Sequence, residues 1–115
     1  MTSGNVTLFA GHPGSSGTTG DNGQATDAYL LNPQAVELDV ANNRLYISES
    51  CRVRVVDRSN GVITTFAGQS SCSGSFTGEG GQATSASFTN VVMITLDTDN
   101  NRVFILDIGM LFIIC

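Results

Sequence analysis

The sequence predicts an all-β fold, a partial β-propeller of two four-stranded antiparallel blades, and three observations predict it. The chain says the same thing twice: residues 20–26 read GDNGQAT and residues 78–84 read GEGGQAT, while TLFAG at 7–11 returns as TTFAG at 64–68. Apolar and polar residues alternate in short runs, the period of a strand rather than of a helix. Asparagine and glycine punctuate those runs where hairpins would turn. A four-stranded meander repeated in tandem is the blade of a propeller.

Each element follows in order. Residues 6–10 (VTLFA) match the last strand of the first unit and are expected as an outer strand. The loop at 20–26 is compact and glycine-rich, with Gly20, Asp21 and Gly23 answered by Gly78, Glu79 and Gly81. Its glycines are expected at positive φ, in a connection that folds back on the blade edge. Residues 36–40 (VELDV) alternate like a strand with one face buried. Asn42 and Asn43 form a turn, since asparagine tolerates left-handed backbone. Leu45, Tyr46 and Ile47 make the returning strand, and residues 52–56 (RVRVV) alternate again. Asn60-Gly61 is the strongest hairpin signal, leading into the strand at 62–66. Past the glycine loop, Asn32, Leu38, Asp39, Asn42, Asn43, Arg44 and Ile47 recur in register as Asn90, Leu96, Asp97, Asn100, Asn101, Arg102 and Ile105. Matches spread across a whole unit indicate a structural repeat.

The order of Asn-Pro, an apolar strand ending in Asp, NNRLYI, a carboxylate, RVRVV and GVITTFAG, together with the GDNGQAT loop, resembles the NHL-repeat family of β-propellers. The resemblance holds twice in register and covers nearly the whole chain. Two positions depart from it: the slot that usually reads Asn-Arg-Ile or Asn-His-Leu is Ser50-Cys51-Arg52-Val53 here, and Gly109-Met110-Leu111 in the second unit. The resemblance implies a non-enzymatic scaffold for protein–protein interaction, its partner unnamed by the sequence. It leaves two other readings open, a fragment of an extracytoplasmic propeller lyase or hydrolase whose catalytic blades lie elsewhere, and a degenerate or truncated product.

The expected organisation is one partial propeller domain over 1–115: an outer strand of a preceding blade at 1–11, a first blade at 12–68 and a second blade at 69–115 without its outer strand. Two blades cannot close a ring of the usual ~4–8. Either the chain is a piece of a longer product, or copies assemble into a closed homo-oligomer. The apolar run MLFIIC at 110–115 favours the piece. Arg52 and Arg54 become Met110 and Phe112 there, which turns a charged face apolar, and an apolar edge strand invites aggregation.

Composition narrows the chemistry. Ten carboxylates stand against five arginines and no lysine, for a net charge of −5. No basic face for nucleic acid can be assembled from these, and no P-loop or Schiff-base lysine exists. The first residues lack a secretory pattern, and MLFIIC is far shorter than the ~20 residues of a membrane helix. Cys51, Cys72 and Cys115 form an odd set without ligand spacing and are expected as free thiols. His12 lies in GHPG, a turn composition with no catalytic partner in sight. Asp21 and Glu79 supply one carboxylate per loop, too few for the six to eight oxygens of calcium. The sequence therefore predicts no catalytic, cofactor or metal residues. Asp39, Asn42, Asn43 and Arg44, with Asp97, Asn100, Asn101 and Arg102, are expected to tie the strand turns, because a need that recurs once per unit is architectural.

Overall fold

Each turn marked by asparagine or glycine closes a hairpin. Asn43 and Asn101 both sit at φ +53°, Gly61 at +77° and Gly109 at +75°, the left-handed region these residues reach at least cost. The computed structural model describes residues 3–115; Met1 and Thr2, part of the expected 1–11 segment, lie outside the described residues. Strands β1 (Ala35–Asp39), β2 (Arg44–Ser48), β3 (Arg52–Asp57) and β4 (Ile63–Gly68) form one four-stranded sheet in chain order. Strands β5 (Val91–Asp97), β6 (Arg102–Asp107) and β7 (Met110–Ile114) form a second, three-stranded sheet. Every neighbouring pair is antiparallel. The protein is all-β, with single 3₁₀ turns at Ala25–Asp27, Ala83–Ser85 and Thr98–Asn100.

Cross-strand partners share a face of the sheet, so register fixes which side chains meet. In the second sheet Ile94, Ile105 and Phe112 lie in one row, and Leu96, Val103 and Ile114 in the next. That face packs on Tyr46, Val53, Val55 and Ala67 of the first sheet, joined by Phe76, Ala86 and Phe88 from the connection between the sheets. The opposite face of the first sheet carries Ile47, Val56 and Ile63, covered by Ala25 and Ala28 of the first glycine loop. The glycine loops are used alike: Ala83 and Ala86 cover Ile105 as Ala25 and Ala28 cover its counterpart Ile47.

Two expectations change. Residues 36–40 alternate as a strand, but their apolar set points outward: Val36 is 61% exposed and Leu38 46%, while Asp39 is buried. Val36 and Leu38 pair with Ile47 and Leu45 on the loop-covered face, and the loop shields the inner rows of that face without reaching β1. Residues 6–10 form no strand, because no neighbouring strand lies beside them to complete a ladder. Likewise, among the described residues nothing pairs with the outer edge of β7.

Candidate functional site

The turn residues are placed in both units as carboxylate clamps. Asp39 accepts from the Asn42 backbone N–H at 3.1 Å and its side-chain amide at 2.9 Å, and pairs with Arg44 at 3.4 Å. Asp97 accepts from the Asn100 backbone N–H at 3.3 Å and from Arg102 Nε at 3.1 Å. Both arginines also lie over the aromatic ring two residues on, Arg44 over Tyr46 at 5.6 Å and Arg102 over Phe104 at 5.7 Å. Burial raises the Asp39 carboxyl, but the Asn42 bonds and Arg44 outweigh it and hold the group below its ordinary value. Arg102 and then Asn100 hold Asp97 low in the same way. Asn43 and Asn101 contribute backbone shape, their left-handed φ closing the turns.

In the glycine loops Gly20 and Gly78 sit at φ +109° and +100°, and a Cβ on either would lie 2.5 or 2.8 Å from the Cα of Ala28 or Ala86. Only glycine fits there. Gly23 and Gly81 are not at positive φ, contrary to expectation; their N–H groups bond back to the Gly20 and Gly78 carbonyls at 3.2 and 3.0 Å. The left-handed positions fall instead on Asn22 and Gly80. Asp21 and Glu79 part company. Asp21 receives Arg54 Nη2 at 2.8 Å and the Thr65 hydroxyl, whereas Glu79 is exposed and has no side-chain partner among the described residues.

Residues outside the predicted set build the most polar part of the interior. Arg54 is 0% exposed and Arg52 nearly so, although an alternating RVRVV strand invites a solvated arginine face. Arg52 Nε donates to Glu49 at 2.6 Å and its Nη2 to the Thr18 carbonyl at 2.6 Å; Arg54 Nη1 donates to the Tyr29 carbonyl at 2.8 Å and to Glu49 at 3.5 Å. The contacts to Thr18, Asp21 and Tyr29 tie the first glycine loop and its flanks to β3, while Glu49, in the turn between β2 and β3, accepts from both guanidinium groups. The signal in the sequence was the spacing of Arg52 and Arg54, which places both on one strand face, together with Glu49 just upstream. In the second sheet the counterpart of Arg54 is Phe112, stacked on Phe76 at a centroid distance of 4.0 Å and edge-on to Phe88 at 5.6 Å.

The cysteines correct the expectation of free thiols. Cys51 and Cys72 form a disulfide, with Cα atoms 5.3 Å apart, and Cys115 is free and exposed. They are far apart in sequence, and only the return of the second glycine connection across the end of β3 brings them together. His12 stacks on Tyr29 with ring centroids 4.9 Å apart.

An open groove of about 820 Å³ runs between the second glycine loop and β7. Phe76, Phe88 and Phe112 form its floor, with Gly80 to Thr84 along one wall and Leu111 to Cys115 along the other. Beside it, Met93, Leu106, Leu111 and Ile113 stand exposed on the outer face of the second sheet. Among the described residues no group of three or more His, Cys, Asp or Glu side chains is placed to hold a metal, and no helix is long and apolar enough to cross a membrane. Compared with protein-family models and with curated proteins, the chain matches none of either.

Proposed function

We propose that this chain is part of an NHL-type β-propeller scaffold that binds protein and does no chemistry of its own. The observation that carries the reading is the apolar outer face of the second sheet, Met93, Leu106, Leu111 and Ile113, set beside an apolar groove. Contiguous exposed apolar surface of this kind marks interaction sites. The stacking of two like sheets, each with its glycine loop on the same face, supports the propeller element of the proposal. The charged residues support the scaffold element, since Glu49, Arg52, Arg54, Asp39 and Asp97 are spent on tying turns and loops.

Photo-methionine incorporated at Met93 and Met110 tests this. Irradiation in an extract of the source cells is expected to give protein adducts in higher yield than serum albumin does at equal concentration, and the yield is expected to fall several-fold in Leu111→Glu. Adduct yields equal to those with albumin, unchanged by the substitution, would reject the scaffold reading.

A further inference from the structure

The groove beside β7 has the position of a strand. In the first sheet the equivalent place is filled by β4, which pairs with β3 and is bonded on its start by the glycine loop: the Asn22 N–H donates to the Ile63 carbonyl at 2.8 Å, the Ile63 N–H to the Gly23 carbonyl at 3.0 Å, and the Ala25 N–H to the Gly61 carbonyl at 2.8 Å. The corresponding groups of the second loop are the Gly80 N–H, the Gly81 carbonyl and the Ala83 N–H. Among the described residues these have no backbone partner, and they line the groove opposite β7.

The sequence that would fill the groove is also in the chain. Residues 4–11 (GNVTLFAG) align with residues 61–68 (GVITTFAG), with Gly4, Thr7, Phe9, Ala10 and Gly11 identical to Gly61, Thr64, Phe66, Ala67 and Gly68. In the structure this segment lies outside any strand, and Val6, Leu8 and Phe9 are exposed. It is held at its end by the Gly11 N–H on the Ala25 carbonyl, on the loop-covered face of the first sheet. The second sheet packs on the opposite face of that sheet, so a whole sheet separates the segment from the groove of its own chain.

We infer that the groove between the second glycine loop and β7 receives residues 4–11 of a second copy of this chain, added as a fourth strand. This rests on the stacked-blade reading proposed above. The pairing follows from the register of β3 with β4: Leu111 opposite Ala10, Phe112 opposite Leu8, Ile113 opposite Thr7 and Ile114 opposite Val6, with Phe9 in the irregular position held by Phe66. Phe66 meets Tyr46 edge-on at 5.0 Å, and the counterpart of Tyr46 is Phe104, so Phe9 has an aromatic ring to meet. The same movement lays the exposed Leu111 and Ile113 of one copy against the exposed Val36 and Leu38 of the next, repeating the contact already made between the two sheets of one chain. Backbone pairing supplies the affinity and alternate side chains the specificity, as in other strand additions. Donor and acceptor are different surfaces, so the association is head-to-tail and closes into a ring or continues as a filament according to the rotation per copy.

Two variants separate the surfaces. Leu8→Asp/Phe9→Asp removes the donor strand, and Leu111→Glu/Ile113→Glu removes the acceptor; all four side chains are exposed in the single chain, so the fold is expected to survive, checked by far-UV circular dichroism. Light scattering after size exclusion is expected to give an assembly for the unaltered chain, 12.0 kDa for each variant alone, and twice that for their equimolar mixture, in which one interface can form. A synthetic peptide of residues 3–11, but not its scramble, is expected to lower the mass of the unaltered assembly toward one chain. A folded, monomeric unaltered chain, or β-rich variants that give no dimer on mixing, overturns the inference. If the photo-adducts described above persist with other proteins in that case, the scaffold reading stands without it; if they also vanish, both fall.

Discussion

The two glycine connections have nearly the same sequence and cover the same face of their sheets, yet they are fastened by opposite physics. The first is held by ions. Arg52 and Arg54 reach from β3 to Asp21, the Thr18 and Tyr29 carbonyls, and Glu49, all with little or no exposure of the guanidinium groups. The second is held by apolar contact and a covalent bond: Phe76 and Phe88 on Phe112 in place of Arg54, and Cys72 bound to Cys51. A buried ion network and a hydrophobic cluster of similar volume can serve one position about equally well, while a half-removed network serves it badly. The repeat thus preserves a geometry and leaves its chemistry free. Glu79 illustrates the consequence: with no arginine opposite, the counterpart of Asp21 has moved into solvent.

The largest effects expected from breaking this contrast are at Arg54 and Phe112. Arg54→Ala removes the guanidinium shared by Asp21, Glu49 and the Tyr29 carbonyl, leaving Arg52 to hold both carboxylates, and is expected to cost about 3 kcal/mol by urea denaturation, the lower end for one partner removed from a buried network. Phe112→Ala, at the equivalent position, leaves no charge behind. It is expected to cost about 3 kcal/mol, the lower end for a core aromatic because Phe112 keeps some exposure.

The disulfide ranks next. The unfolded, unreduced protein is expected to titrate one thiol, Cys115, and all three after reduction. Reduction is expected to cost about 2–4 kcal/mol. Three thiols without reduction would leave the second connection fastened by its aromatic cluster alone.

The smallest effects lie in the turn clamps, where the two units also differ. Asp39 is buried and Asp97 partly exposed, so Asp39→Asn is expected to cost about 1–2 kcal/mol and Asp97→Asn distinctly less. Asp39, Asp57 and Asp97 all lie below their ordinary value of 3.8 in the folded chain, Asp57 through the Ser59 hydroxyl and N–H. Their contribution is complete above the unfolded carboxylate value and is lost as pH falls from about 4 through the folded values, because the unfolded chain then binds more protons. Thermal midpoints are expected to be flat in this respect above pH 5 and to drop below pH 4, less steeply in Asp39→Asn.

Much of the architecture was legible in the residues. Recurrence of Asp, Asn-Asn and Arg marked the two clamps, and glycine and asparagine marked the turns, since these depend on local backbone and side-chain chemistry. The alternation of residues 36–40 gave a strand but misled about its buried side, for a period of two says that the faces differ and is silent on which one meets a neighbour. The arginines of β3 read as a charged face and lie in the interior, because their partners Asp21, Thr18 and Tyr29 come from a distant loop. The cysteine pairing was hidden for the same reason.

By itself the sequence determined the local grammar of this protein: strands, turns, and a unit used twice, all written in short-range preferences of φ and hydrogen bonding. Only the tertiary structure decided which faces are buried, which charges are desolvated and which cysteines meet. Those outcomes depend on long-range proximity, and residues far apart in the chain acquire their electrostatic and packing environment only when the sheets stack.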